Sequence, residues 1–175
     1  MSTAVKTKWN IDTAHSEIIF KVKHMMISTV TGHFEDFNAT AETDNEGFIG
    51  ADFHFTAKTA SINTKNGDRD KHLRSDDFFN AELFPEILFT SRSFDGSTLV
   101  GDLTIRDVTG EIQLDADFNG IVVDPYGQTK AGFEMSGSIN RKDFNLAWSA
   151  ITETGSIVVS DTVKLTAFLQ FIKEQ

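Results

Sequence analysis

Apolar and polar residues alternate along much of the chain, so that every second position is apolar. In the segment 18–24, Ile18, Phe20 and Val22 are apolar, while Lys21 and Lys23 occupy alternate positions. The same two-residue period recurs in segments 52–57, 99–106, 112–118, 131–139 and 163–171. This alternation is typical of antiparallel strands with one buried face and one face in water. Shorter runs at 9–11, 37–42 and 87–90 bring the predicted number of strands to about eight or nine.

Turn-forming residues separate these strands. Clusters of Asp, Asn, Gly, Pro and Ser occupy positions 44–47, 94–97 and 124–127. Closely spaced strands of this kind predict an all-β barrel or sandwich. The chain shows no internal repeat and no linker, and its 175 residues are an ordinary length for one domain. We therefore expect a single domain over residues 1–175.

The alternation stops in the segment 65–83, whose first half is polar and charged. Ser75 is predicted to cap a short helix that contains Phe78 and Phe79. Pro85 is predicted to end it, because the residue before a proline is disfavoured in helical conformation. The sequence thus predicts an all-β fold with a short helical insertion around residues 65–83, placed where it could cover an open barrel end.

Composition changes this picture by indicating what the interior contains. The chain has 16 Phe and 1 Tyr, and phenylalanine buries a large ring without a polar group, which favours a large apolar interior. The 16 basic and 26 acidic residues give a net charge of −10, which argues against nucleic-acid binding and against adhesion to an anionic membrane. The absence of cysteine excludes disulfides, thiolate metal sites and a cysteine nucleophile.

No targeting segment is evident in the sequence. Residues 1–8 lack the apolar core of about 7–15 residues that a secretory signal requires. No run approaches the roughly 18 apolar residues of a membrane span. We therefore expect a soluble cytoplasmic protein, or a periplasmic one if a signal has been removed.

Asp12, His15 and Ser16 are the residue types of a hydrolase triad. They crowd at the start of one strand, however, and no nucleophile-elbow motif accompanies them. We interpret them as a cluster that caps a turn. None of the five histidines is paired at the spacing of zinc ligands, so the sequence predicts no metal site.

His24 has the same parity as the apolar positions of its strand and is predicted to point inward. There it could be a core histidine bonded to a main-chain carbonyl, or it could donate to the polar end of a ligand. Met25 and Met26 follow it, and methionine serves both adaptable apolar pockets and ordinary cores.

Arg69, Lys71, His72 and Arg74 concentrate basic side chains within an acidic protein. They could form solvated ion pairs with neighbouring aspartates. They could also form a cationic rim that orients the phosphate or carbonyl head group of a ligand.

The order of motifs along the chain resembles that of the YceI-like family, from about Trp9 to the C-terminus. The motifs are Trp9-x-Ile11-Asp12-x-x-His15-Ser16, Phe20-x-Val22-Lys23-His24, Val30-x-Gly32-x-Phe34, Ser61-Ile62-x-Thr64, Arg69-Asp70-x-His72-Leu73-Arg74-Ser75-x-Asp77-Phe78-Phe79, Phe84-Pro85-x-Ile87-x-Phe89-x-Ser91, Gly101-Asp102-Leu103-Thr104-Ile105 and Asn140-Arg141-x-Asp143-Phe144. The resemblance implies a lipocalin-like antiparallel β-barrel whose lumen holds a long amphiphile, such as a polyisoprenoid, an isoprenoid quinone or a fatty-acid derivative. It implies non-catalytic binding, storage or transport of that lipid, no other cofactor, and a possible homodimer.

Strand parity then identifies candidate site residues. We expect a set of apolar side chains, together with His24 and Met26, to face the lumen, with Phe78 and Phe79 on the helical insertion. The strand residues are Ile18, Phe20, Val22, His24, Met26, Ile87, Phe89, Leu103, Ile105, Phe133, Met135, Leu165 and Ala167. The candidates for contact with a head group are His24, Arg69, His72 and Arg141.

Two other functions are compatible with the sequence. One is an enzyme that acts on a hydrophobic isoprenoid-type substrate, with His24 or His72 as general base. The other is a packed β-domain used for protein association, which would have no continuous cavity.

Overall fold

Strands dominate the structure, a computed structural model that describes residues 5–149 and 158–175. Within these residues, the helix α1 spans Gly67–Arg74. The strands are β1 (Thr7–Ile11), β2 (Glu17–His24), β3 (Ser28–Phe34), β4 (Phe37–Thr43), β5 (Asp52–Lys58), β6 (Ile62–Asn63), β7 (Glu86–Phe94), β8 (Thr98–Ile105), β9 (Val108–Val123), β10 (Thr129–Asn140) and β11 (Val159–Lys173).

The sheet closes on itself. Its hydrogen-bonded order is β1-β4-β5-β7-β8-β9-β10-β11, and β11 pairs again with β1. The short strands β2, β3 and β6 continue the positions of β1, β4 and β5, because β2 also pairs with β11, β3 with β2, and β6 with β3. The eleven segments therefore build a closed antiparallel barrel of eight strands. The predicted all-β, lipocalin-like barrel is confirmed.

Short 3-10 turns interrupt two of the eight barrel strands without ending them. Between β1 and β2, a 3-10 turn at Thr13–His15 begins where the Asp12 carboxylate accepts a hydrogen bond from the main-chain N–H of Ala14 at 3.2 Å. A second 3-10 turn at Thr59–Ser61 separates β5 from β6. Each turn breaks the ladder of hydrogen bonds for a few residues, after which the chain resumes pairing with the same side of the barrel.

An aromatic cluster fills one half of the barrel interior. Its centre is Phe133, which is 1% exposed and stacks on Phe118 with ring centroids 5.0 Å apart. Edge-to-face contacts then join Phe133 to Phe48, at 5.1 Å, and to Phe53, at 5.5 Å. We call this cluster the aromatic plug; its members are Trp9, Phe48, Phe53, Phe94, Phe118, Phe133 and Phe171.

The helical insertion is present, but the helix lies earlier than predicted. α1 begins after Asn66, whose side chain accepts a hydrogen bond from the main-chain N–H of Arg69 at 3.1 Å. Ser75 is the C-cap, and its hydroxyl donates back to the last turn of the helix. Phe78 and Phe79 follow in turns. The helix dipole favours this placement, because Asp68 and Asp70 lie in the first turn and Lys71, His72 and Arg74 lie in the last.

No helix in residues 5–149 or 158–175 has the length and apolar character needed to cross a membrane.

Candidate ligand-binding cavity

The other half of the barrel encloses a cavity of about 160 Å³. Phe53 and Phe171 of the aromatic plug bound it at one end, and Phe79 and Leu146 bound it on the side of the helical insertion. All residues along its wall are apolar except His54 and Thr166. The wall consists of Ile18, Ile19, Phe20, Phe34, Ala39, Phe53, His54, Phe55, Ala57, Phe79, Ile87, Phe89, Leu99, Leu103, Ile105, Ile112, Leu114, Met135, Ile139, Leu146, Leu165, Thr166, Ala167, Leu169 and Phe171.

The open space runs along the inner face of β11. Leu165, Ala167 and Leu169 point inward from this strand but are only half-buried, whereas Phe171 at the plug is fully buried. On β8, across the barrel, the inward side chains are all buried. The cavity therefore follows the aliphatic and small side chains of β11, and the side chains of the described residues leave this space open.

Two glycines keep phenylalanine rings against the barrel wall. A Cβ atom on Gly32 would lie 2.1 Å from Cζ of Phe20, and one on Gly101 would lie 2.5 Å from Cζ of Phe89. Both distances are far below van der Waals contact, so each ring occupies the space that a Cβ atom of the facing glycine would need. Because the rings lie flat over the main chain, they line the cavity without crossing it.

Most of the predicted lumen residues lie in the cavity wall, because regular antiparallel strands preserve parity over their whole length. The structure places there Ile18, Phe20, Phe79, Ile87, Phe89, Leu103, Ile105, Met135, Leu165 and Ala167.

The end of β2 differs from the prediction. Val22, His24 and Met26 are outside the cavity wall. Val22 and His24 keep the alternation of β2, since both are half-buried next to the exposed Lys21 and Lys23 and their pairing with β3 is regular, but neither borders the open space. Met26 is 67% exposed in the turn to β3. The structure therefore corrects the expectation for Met26, which lies in a turn, and leaves Val22 and His24 half-buried outside the cavity wall.

Phe133 and Phe78 are buried, but neither borders the open space. Phe133 lies at the centre of the aromatic plug, so other rings surround it. Phe78 packs on the outer side of the insertion, with its ring centroid 5.1 Å from that of His72 and 5.4 Å from that of Trp148. Parity and apolar character indicate burial, but they do not indicate which layer of the interior a ring joins.

None of the four head-group candidates lies in the cavity wall. His24 is half-buried at the end of β2. Arg69 donates to the hydroxyl and to the carbonyl of Thr64, each at 2.7 Å. His72 hydrogen-bonds through Nε2 to the Asp77 carboxylate at 2.9 Å. Two of these side chains are thus engaged in fixing the insertion.

Arg141 is 2% exposed, and its guanidinium binds the main chain. It donates to the carbonyls of Ser160 at 2.9 Å, Trp148 at 2.7 Å and Val159 at 3.3 Å, and also to that of Leu146. Burial lowers the pKa of the Arg141 guanidinium from its ordinary value. These bonds attach the segment that carries Leu146 into the cavity wall to the start of β11.

Arg106 also binds main-chain carbonyls from distant segments, and no pattern in the sequence singled it out. From the turn between β8 and β9, its guanidinium donates to the carbonyl of Phe78 at 2.8 Å and to that of Asp76 at 3.1 Å. It also reaches the carbonyl of Asn145 at 3.4 Å. Arg106 therefore joins the helical insertion to the segment after β10, and both border the same end of the cavity.

Asp12, His15 and Ser16 form a capping cluster on the barrel wall. Nδ1 of His15 donates to the Asp12 carboxylate at 2.7 Å. The Ser16 hydroxyl donates to the Asp12 carbonyl at 2.8 Å and accepts from the N–H of Gln170 at 3.0 Å. Both bonds direct the hydroxyl toward the main chain and away from a role as nucleophile.

Burial alone would raise the pKa of the Asp12 carboxyl. Hydrogen bonds from His15 and Lys130 outweigh this effect and hold that pKa below its ordinary value. Across residues 5–149 and 158–175, no cluster of three or more His, Asp or Glu side chains is placed to hold a metal ion.

The chain is similar to known proteins over nearly its whole length. A model of the YceI-like domain matches residues 9–171. A UPF0312 protein of Staphylococcus epidermidis is 39% identical over 166 residues, which cover 94% of this chain and 97% of that protein. A YceI protein of Campylobacter jejuni, solved as a crystal structure, gives a TM-score of 0.74 at 34% identity over 100% of both chains.

A more distant neighbour has the same fold. A polyisoprenoid binding domain from Saccharophagus degradans, implicated in plant cell wall breakdown, gives a TM-score of 0.68 at 16% identity, covering 95% of this chain and 98% of that one. Together, the domain match and the relatives above 30% identity establish that the chain belongs to the YceI-like family.

Proposed function

We propose that this protein binds a long amphiphilic lipid with an isoprenoid-type tail and carries or stores it without chemical change. The observation that carries the proposal is the cavity of about 160 Å³, enclosed by a barrel and lined by apolar side chains except at His54 and Thr166. A dry apolar cavity takes up hydrocarbon, because water has no hydrogen-bonding partner in it. The polyisoprenoid binding domain of S. degradans, which shares the fold, supports the choice of tail.

Magnitudes indicate how such a tail would bind. An engineered protein cavity of about 150 Å³ accepts benzene, so the open space here suits roughly the first isoprene unit of a tail. At about 0.8 kcal/mol per buried methylene, the roughly five carbons of one unit contribute about 4 kcal/mol before costs. Association itself costs about 4–15 kcal/mol, so a tight complex requires several buried units. Longer tails must then displace half-buried side chains such as Leu165 and Leu169 along β11.

Among residues 5–149 and 158–175, no charged side chain in the cavity wall is placed to meet the polar head of the ligand. Arg69, His72 and Arg141 make bonds within the protein, and the cavity wall contains no charged side chain. The head group therefore remains at the mouth of the barrel, in water. We expect the tail to determine affinity and the head group to have a small effect.

A series of isoprenoid alcohols of increasing length tests this function. Affinity, measured by calorimetry or by displacement of a fluorescent fatty acid, is expected to rise with each of the first units and then level off when the interior is full. Carboxylate and alcohol heads on the same tail should bind similarly. Extraction of the purified protein with organic solvent, followed by mass spectrometry, identifies any lipid that it retains from the cell. Failure to bind any member of the series would contradict the proposal.

The alternative of a histidine general base has less support. Neither His24 nor His72 lies in the cavity wall, and His72 is bonded to Asp77. A domain used only for protein association is also less well supported, since it requires a filled interior. Transport, the homodimer and the cytoplasmic location stay predictions from the sequence and from the family resemblance.

A further inference from the structure

The turn between β2 and β3 exposes apolar side chains at the barrel rim. Met26 is 67% exposed and Ile27 is 82% exposed, while Met25 is half-buried beside them. We call these three residues the apolar tip. Exposed apolar residues are common singly, but two exposed residues next to a half-buried third at the end of a hairpin form a projecting apolar surface.

The main chain of the apolar tip has a conformation that methionine disfavours. The φ angles of Met25 and Met26 are 51° and 59°, both in the left-handed region. Three residues connect the paired His24 and Ser28, and successive positive-φ positions in a hairpin turn favour Asn, Asp and Gly. Residues held against their conformational preference cluster at functional positions, so the methionine side chains point to a role outside folding.

A basic patch adjoins the apolar tip on the outer surface of the barrel. Lys21 and Lys23 are exposed on β2, and the exposed Lys164 lies directly opposite Lys21 on β11. Like charges in directly opposed positions destabilise a sheet. In the part of the chain that the structure describes, none of the three lysines forms an ion pair with a carboxylate. The nearby carboxylate of Asp161 is paired with Lys142 at 3.3 Å and with Arg141 at 3.7 Å, so the three lysines form a basic patch on a protein whose net charge is −10.

We propose that the apolar tip and Lys21, Lys23 and Lys164 dock the protein on an anionic lipid bilayer. Apolar side chains that enter the interface, together with lysines at the level of the head groups, are the usual combination for reversible membrane binding. A stable protein partner would bury about 800 Å² on each side, which is more than two exposed side chains supply. The docking surface consists of residues outside the cavity wall, so it does not require the proposed function. Delivery of a lipid to the cavity does rest on the proposed function.

Hydrogen bonds connect the apolar tip to the cavity wall. The N–H of Met25 donates to the carbonyl of Val158 at 2.8 Å, immediately before β11. Arg141 binds the next carbonyl, that of Val159, and with the same guanidinium it binds the carbonyl of Leu146 in the cavity wall. Docking would therefore bring the bilayer to the cavity end of the barrel, opposite the aromatic plug.

Sedimentation of the ligand-free full chain with lipid vesicles tests docking. Vesicles of phosphatidylglycerol mixed with phosphatidylcholine are compared with vesicles of phosphatidylcholine alone, at about 0.1 M and about 1 M ionic strength. We expect binding to the anionic vesicles that weakens in high salt. A Met26→Gly, Ile27→Ser double variant should bind about tenfold more weakly. A Lys21→Gln, Lys23→Gln, Lys164→Gln triple variant should bind about a hundredfold more weakly.

Matched controls separate docking from general effects. A Val122→Ser, Val123→Ser variant removes two exposed apolar side chains from β9, and a Lys6→Gln, Lys58→Gln variant removes two exposed charges; both should bind anionic vesicles like the wild type. Because glycine suits the left-handed backbone at position 26, the tip variant should fold, which thermal melting checks. Absence of vesicle binding by the wild type would overturn the proposal, as would equal binding by all variants or equal loss in the controls.

Lipid binding in solution is measured on the same variants. The tip and lysine variants should keep the wild-type affinity for isoprenoid alcohols, since none of the changed residues lies in the cavity wall. Docking without uptake of any isoprenoid alcohol would contradict the proposed function and leave the docking surface in place. Uptake of isoprenoid alcohols without vesicle binding would contradict the docking surface and leave the proposed function in place.

Discussion

At the scale of single residues, Gly32 leaves room for the ring of Phe20 because it has no side chain. Gly32 lies directly opposite Phe20 across β2 and β3, and the Phe20 ring lies over its Cα. The ring can remain against the wall only because no Cβ atom occupies that place. The free volume of the cavity therefore depends on a glycine whose own atoms contribute little to the wall.

We predict that Gly32→Ala moves the Phe20 ring into the cavity. The expected cost is about 1–3 kcal/mol of folding free energy, as for other insertions into a packed interior, together with weaker isoprenoid binding. Urea denaturation and ligand titration measure the two effects. The control is Gly132→Ala on β10, where the nearest heavy atom to an added Cβ is 3.6 Å away, so stability and binding should change little. Equal behaviour of the two variants would contradict the prediction.

Strand parity predicts wall residues well because it is a local property of a regular strand. Phe20, Phe89 and Leu103 needed no other information. Arg141 could not be predicted in the same way, because its partners are main-chain carbonyls from segments far apart along the chain. Met26 was misplaced because parity ends where β2 leaves the barrel.

At the scale of elements, the break between β1 and β2 is held by charge as well as by a turn. The side chain of Asp12 is only 13% exposed. Its carboxylate accepts hydrogen bonds from His15 at 2.7 Å and from Lys130 at 3.2 Å. These partners lower the pKa of the Asp12 carboxyl, against the effect of burial. The ionised form is therefore the one that stabilises the junction.

We predict that Asp12→Asn destabilises the fold at neutral pH by about 1–3 kcal/mol, since Lys130 loses a charged partner while the amide still caps the turn. The pKa of Asp12 is lower in the folded state, so its contribution is complete above the unfolded value of about 3.9 and disappears as pH falls through the folded pKa. The difference between wild type and variant should therefore shrink from about pH 7 to about pH 3 in urea denaturation.

Asp117→Asn on β9 is the control for this experiment. Asp117 is exposed and forms no ion pair among residues 5–149 and 158–175, so its replacement should change stability little at either pH. A difference between wild type and Asp12→Asn that is constant with pH would show that charge is not the cause.

Elements with a strong period were predictable, whereas their interruptions were not. β3 was not predicted as a strand, because Gly32 occupies one of its inward positions and weakens the apolar alternation. The helix was predicted to begin at Ser75, whereas in the structure it ends there. Asn66 and Ser75 are both good capping residues, and the sequence does not show which end of the helix each one caps.

At the scale of the whole molecule, the barrel interior has two halves with different packing. The aromatic plug is filled by rings, and the remainder is open along β11. The same alternation runs through both halves, so the sequence could predict a barrel and a family but not the boundary between them. That boundary depends on ring-to-ring contacts between strands distant in the chain, such as Phe48 with Phe133.

We predict that substitution of leucine for alanine has different effects on stability in the two halves of the interior. Ala167→Leu fills part of the cavity, so stability should stay within about 1 kcal/mol of the wild type or rise, while isoprenoid affinity falls. Ala131→Leu, near the plug where Ala131 is 1% exposed, should destabilise by about 1–3 kcal/mol through overpacking. Thermal melting and ligand titration compare the pair, and similar destabilisation of both would indicate that the interior is uniformly packed.

Closure of the barrel by β1 and β11 has a consequence for synthesis. Residues that meet at this seam, such as Trp9 and Lys173, are separated by most of the chain. While the ribosome is still translating, the N-terminal strands have no partner on one side and present unpaired main-chain groups. The hydrophobic compartment therefore forms only after β11 has emerged, so folding should be slow and the growing polypeptide should depend on chaperones.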